Sequence, residues 1–208
     1  MLDFLENAGL GKLERAIVYG VVLAVVLLIV ADIGLARRGL VFDYGWITFL
    51  FRWLHVLSGV MWIGLLWYFN FVQTPSMPKI PDEQKPAVSK VIAPTALFWF
   101  RWAAMATIIL GLLLAMMNGY LGQALMLQKP FTSIGIGAYL GTIMWANVWF
   151  VIWPNQKKAL GIVTVEAAEK AAAAKRAGMA SRINTITMPA MMVRFSEEKN
   201  AAMVFPCR

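Results

Sequence analysis

Residues 44–73 read YGWITFLFRWLHVLSGVMWIGLLWYFNFVQ, and after Arg52 no charged side chain occurs until Lys79. At about 1.5 Å of rise per residue, a helix over this stretch crosses the roughly 30 Å hydrocarbon core of a bilayer with some tilt. Lipid offers a backbone N–H or C=O no partner, so a stretch of this kind closes its hydrogen bonds within itself as a helix. The sequence therefore predicts a membrane-spanning helix with the chain's single histidine, His55, inside it.

Three further stretches read the same way. Residues 16–36, AIVYGVVLAVVLLIVADIGLA, carry one charge, Asp32. A third segment starts after Pro94 and Thr95 and runs through RWAAMATIILGLLLAMMNGY to Gly119 and Gly122, and a fourth, TSIGIGAYLGTIMWANVWFVIW, ends at Pro154. With 60% of 208 residues hydrophobic, 14% charged and a mean hydropathy of +0.67, the chain holds more apolar side chain than a soluble domain of its size buries. The expected class is all-α. Its expected form is a polytopic membrane bundle of about four transmembrane helices over residues 1–156, followed by a basic, partly helical cytoplasmic tail over residues 157–208. In that tail, VEAAEKAAAAKRA at residues 165–177 combines strong helix formers with Glu166 and Lys170 at i,i+4. It predicts a surface helix whose lysines suit anionic lipid headgroups.

Charge placement sets the expected orientation. Fourteen Lys and Arg fall in the N-terminal segment, the second connection and the tail, against three (Arg37, Arg38 and Lys129) in the other two connections. The asymmetry predicts both termini in the cytoplasm. Trp and Tyr near the segment ends suit interfacial anchoring. The net charge of +8 does not indicate nucleic-acid binding, because the basic residues occupy short loops and the tail rather than one face of a folded domain. MLDFLENAGLGKLER is too acidic for the start of a signal peptide, so the first apolar segment is expected to be retained. One cysteine, Cys207, leaves no internal disulfide and no CxxCH, which excludes covalent c-type haem.

On a helical grid Arg52, His55, Gly59, Trp62, Leu66, Asn70 and Gln73 follow at steps of three or four and share one stripe. Polar groups in a membrane helix face the bundle interior, and Ser58 and Gly59 allow a neighbouring helix or a flat ligand to come close. Two readings of His55 stand. It is an axial ligand to haem b, with Arg52 holding a haem propionate. Or it is hydrogen-bonded to another helix while Arg52 snorkels outward. One histidine cannot supply both axial ligands, so a second would be a methionine, water or a residue of another subunit. Asp32 is a candidate partner for Arg52, and Gly137 with Gly141 has the GxxxG spacing of close helix packing. No GxSxG, HExxH, P-loop or GxGxxG pattern occurs.

RWLHVLSGVMWIGLLWYFNFVQTPSMP and YLGTIMWANVWFVIWPNQKKALG resemble the membrane domain of the bacterial cytochrome c-linked urate oxidase family, and GMASRINTITMPAMM resembles the start of that family's next helix. The resemblance spans residues 44–192. WLHVLSGVMWIG alone is more distantly similar to copper resistance protein D and to membrane-bound protoporphyrinogen oxidase, a likeness that implies a haem-associated His55. Urate-oxidising members of the family carry a C-terminal cytochrome c domain with CxxCH, and this sequence contains none.

The resemblance implies an integral membrane subunit of a larger respiratory or other electron-transfer complex, with haem b held by His55, Arg52 and Gly59 and His55 on the iron. Its implied partners are membrane lipids, other membrane subunits and a separate cytochrome. The alternative is a membrane redox enzyme related to urate oxidase that uses a separate cytochrome c, so enzymatic activity stays open at this stage.

Overall fold

A computed structural model describes residues 13–30 and 43–190. Among the described residues every regular element is helical: α1 (Leu13–Ile29), α2 (Tyr44–Lys79), α3 (Lys85–Met117), α4 (Leu121–Leu125), α5 (Thr132–Ala159) and α6 (Ala167–Ala190). Helices α2, α3 and α5, of 36, 33 and 28 residues, are long and apolar enough to cross a membrane. The remaining expected span is represented by the 17-residue α1. Residues 31–42, and with them Asp32, the candidate partner of Arg52, lie outside the described residues. The chain divides into two compact units, Met1–Ile47 and Thr48–Arg208. The first contains α1 and the first residues of α2, and the second contains the rest of α2 and the helices after it.

The helices outrun their expected ends. The sequence reading ends the second segment at residue 73, starts the third after Pro94 and ends the fourth at Pro154, yet α2 runs past Pro75 to Lys79, α3 begins before Pro94 at Lys85, and α5 continues past Pro154 to Ala159. A π-helical turn precedes each proline: Tyr68–Gln73, Val88–Ile92 and Asn147–Ile152. Proline has no N–H to donate and its ring crowds the carbonyl four residues back. Widening the turn before it relieves the crowding and lets the helix continue.

The interior joins Trp62, Leu66 and Phe69 of α2 to Leu97, Phe100 and Ala104 of α3 and Met144, Val148 and Ile152 of α5. Phe69 and Phe100 meet edge to face with centroids 5.8 Å apart, the arrangement ring quadrupoles favour. Outward, Val60, Phe71 and Phe150 stand exposed with many other large apolar side chains, a surface suited to lipid.

Helix α6 is longer than the expected surface helix and packs into the bundle. Ala173, Ala177, Ala180 and Asn184 form its buried face. Lys158 pairs with Glu169 near the start of α6. Further along, Asn147 Nδ2 donates to Ala180 O at 2.8 Å and to Asn184 Oδ1 at 2.7 Å, and Asn184 Nδ2 donates to Met144 O at 3.1 Å. Asn70 Nδ2 donates to Ser181 Oγ at 2.7 Å. These contacts run α6 antiparallel to α5 and tie it to α2. Both Asn70 and Asn147 sit in π-helical turns, so the distortion ahead of each proline also presents the amide that binds α6.

Candidate functional site

A cavity of about 360 Å³ lies among α2, α3, α4 and α5, within the range of small-molecule sites. His55 and Arg52 line it, as does Trp62 two turns further along the same stripe. Much of the wall is small: Gly111 and Ala115 from α3, Ala124 from α4, and Gly137, Ala138 and Gly141 from α5. Gly137 and Gly141, read from sequence as a helix-packing pair, are cavity wall. Small residues on facing helices leave broad surfaces against which a planar ligand can lie.

His55 is fixed by the backbone of the neighbouring helix. Its Nδ1 lies 2.9 Å from the carbonyl oxygen of Thr107. A carbonyl only accepts, so Nδ1 carries the proton and, in the neutral ring, Nε2 keeps its lone pair. Gly111 makes the approach possible. In a helix the Thr107 carbonyl points along the axis toward residue 111, and a Cβ there would stand 2.9 Å from His55 Cε1. A glycine clears the space the imidazole occupies. This is the arrangement that orients a metal-binding histidine, one nitrogen donating to a carbonyl and the other left to ligate.

Two groups bound the end of the cavity near the α3–α4 turn. Helix α3 closes with Gly119 at φ +76°, while Gly119 N donates to Met116 O and Tyr120 N to Ala115 O. This pair of bonds defines a Schellman ending, in which a left-handed residue reverses the chain. The reversal sets Tyr120 on the cavity wall, stacked on Phe131 with centroids 4.8 Å apart. Burial raises the Tyr120 pKa, and the positive charge of Arg52 opposes that rise, so the two share one electrostatic environment.

Trp62 is 1% exposed, and its buried indole Nε1 has no hydrogen-bond partner among the described residues. Among the expected site residues, His55 and Arg52 come together here. Gly59 does not line the cavity; it faces α3, where a Cβ would meet only the Thr107 methyl at 3.9 Å, an ordinary contact. The residues missing from the sequence reading are Thr107, Gly111 and Tyr120. A mid-span glycine was the one available signal for that group.

The lining suits a flat, largely apolar ring such as haem: an imidazole with Nε2 available, small residues on facing helices, and a guanidinium for a carboxylate. None of the lining residues is a methionine or a second imidazole. Among the described residues no three His, Cys, Asp or Glu side chains come together as a metal cage.

Residues 129–205 match the family model described as urate oxidase N-terminal. This stretch is similar to the urate oxidase N-terminal domain. The urate oxidase N-terminal match takes in α5, α6 and the Asn147–Asn184 seam, and it supplies the α5 wall of the cavity. It extends beyond residue 192, where the sequence resemblance stopped, and begins well after residue 44, where that resemblance started. Helix α2 with Arg52 and His55 lies outside it, as do Thr107 and Gly111. No curated protein and no solved structure matches the chain, so the more distant likenesses of WLHVLSGVMWIG gain no support.

Proposed function

We propose that this chain is an integral membrane subunit of a larger electron-transfer complex and that it carries haem b through His55. One observation carries the reading: the His55 Nδ1–Thr107 carbonyl contact, which leaves Nε2 free on the wall of a cavity with small residues on facing helices. His55 would ligate iron, Arg52 would hold a propionate, and Gly111, Gly137 and Gly141 would admit the ring. Bound haem supplies one-electron chemistry. The chain's own part is to fix the imidazole tautomer, exclude bulk water with its apolar walls and neutralise a carboxylate with Arg52. The lining holds no methionine and no second imidazole that would serve as a further ligand. Lys and Arg placement favours both termini on the cytoplasmic side; in this reading the membrane is a bacterial inner membrane and a separate cytochrome is the electron partner.

A second reading is favoured by the similarity of residues 129–205 to the urate oxidase N-terminal domain. In it the chain is a membrane redox enzyme that uses a separate cytochrome c. The test is a dithionite-reduced minus oxidised spectrum of the purified full chain in mild detergent. Bands of b-type haem support the first reading, and their absence from protein purified with haem supplied contradicts it. Urate-dependent reduction of added cytochrome c would put the second reading first.

A further inference from the structure

The opposite end of the bundle holds a second polar constellation, outside the cavity. Arg101 lies within α3, a membrane-spanning helix, where a charged side chain is costly unless partnered. Its guanidinium carbon stacks 3.2 Å from the centroid of Trp153 and 5.8 Å from that of Trp149. Lys157, one turn beyond Trp153, places its ammonium 5.7 Å from the same Trp153 centroid. Two cations thus share one indole ring and repel each other.

Neither has a carboxylate partner among the described residues. The ion pairs on this side are Lys85–Asp82 and Lys158–Glu169, which occupy other lysines. Buried donors are also left over: Arg101 Nε and Trp149 Nε1 have no acceptor among the described residues. Indole faces attract a cation, but they accept none of the N–H bonds the guanidinium fork offers. The chemistry lacking here is an anion with several acceptor oxygens.

We infer that Arg101 and Lys157, both set against the Trp153 ring, bind the phosphate of an anionic phospholipid. A phosphate meets the guanidinium fork with paired N–H···O bonds and relieves the repulsion between the cations. The adjoining surface selects a lipid over a free ion. Phe98 and Trp102 stand half-exposed on α3, with Phe98–Trp102 centroids 6.4 Å and Trp102–Trp149 centroids 5.5 Å apart. Phe98 lies one turn toward the headgroup side of Arg101, while Trp102 and Trp149, the latter one turn nearer the middle of the bundle than Trp153, lead inward from the cations along the path of an acyl chain. Basic pockets between membrane helices hold headgroups in this way.

The full chain, delipidated in mild detergent, is titrated with phosphatidylglycerol, phosphatidylcholine or inorganic phosphate, and bound lipid is counted by native mass spectrometry. Phosphatidylglycerol binds preferentially, and Arg101→Gln and Lys157→Gln each weaken it about fivefold, the effect of about 1 kcal/mol for one basic residue at an anionic surface. Lys157 stands at the helix end, so its variant folds even if Arg101→Gln does not. Equal binding of the two lipids, or unchanged phosphatidylglycerol binding in Lys157→Gln, overturns the inference. Inorganic phosphate competing as well as the lipid assigns the site to a free anion and overturns the lipid source.

Discussion

The His55 imidazole on α2 is held by the main chain of α3, its Nδ1 2.9 Å from the Thr107 carbonyl oxygen. Nothing in the side-chain chemistry of residue 107 is needed for this bond. Thr107 uses its own hydroxyl elsewhere, donating to Ala103 O at 2.8 Å. The requirement falls instead on residue 111, which must leave the carbonyl open.

Gly111→Ala should therefore act on the histidine. The added methyl would meet His55 Cε1 at 2.9 Å, and the ring must turn or the helices must part, a cost of about 1–3 kcal/mol. Haem content per mole of purified protein should fall severalfold while the thermal midpoint drops by only a few degrees. Haem content equal to wild type would show that the imidazole is not constrained as described.

Asn184 should matter to the docking of α6 through two hydrogen bonds at once. It is 1% exposed and bonds both Asn147 and the Met144 carbonyl. Asn184→Leu keeps similar bulk but removes these bonds at about 1–2 kcal/mol. Thermal unfolding in detergent should fall by about 2–8 °C, with tryptic cleavage at Lys175 and Arg176 accelerated. Asn147→Leu combined with Asn184→Leu should cost less than the two single losses added together, because they break one shared bond.

Gly135 sits against α4, where a Cβ would run into the Ala124 carbonyl oxygen. A backbone atom cannot turn aside as a side chain can. Gly135→Ala should lower the thermal midpoint by roughly 1–3 kcal/mol equivalent, whereas Gly122→Ala, with nothing within 4 Å, should leave it nearly unchanged.

Tyr120 gives a pH dependence with a definite sign. Its pKa is raised from 10.0 in the folded chain, by burial against the opposing charge of Arg52. The folded state thus holds the phenolic proton more tightly than the unfolded state. That contribution is full below pH 10 and is lost as pH rises through the folded value. Spectrophotometric titration should show one late phenolate that vanishes in Tyr120→Phe and shifts further upward in Arg52→Gln.

The membrane helices are legible because long apolar runs leave few alternatives, and the stripe through Arg52, His55 and Trp62 follows from helical spacing alone. Their ends are not legible: a proline ordinarily stops a helix, and only the π-helical turns ahead of Pro75, Pro94 and Pro154 let these continue. Helix α6 reads as polar because its buried contacts are alanine and asparagine rather than leucine. The cavity is half legible. His55 and Arg52 announce themselves by type, but the group that orients His55 is a backbone carbonyl, which every residue possesses, and Tyr120 reaches the wall through a chain reversal at Gly119.

The central claim is that His55 Nε2 holds haem iron in this cavity. The most direct measurement is the b-type haem spectrum of purified wild-type protein, His55→Gly, and His55→Gly supplied with free imidazole, all expressed with haem present. The account predicts haem bands in the wild type, their loss in His55→Gly and their return with imidazole. Wild-type bands that persist unchanged in His55→Gly would contradict it, as would a well-folded wild type that takes up no haem.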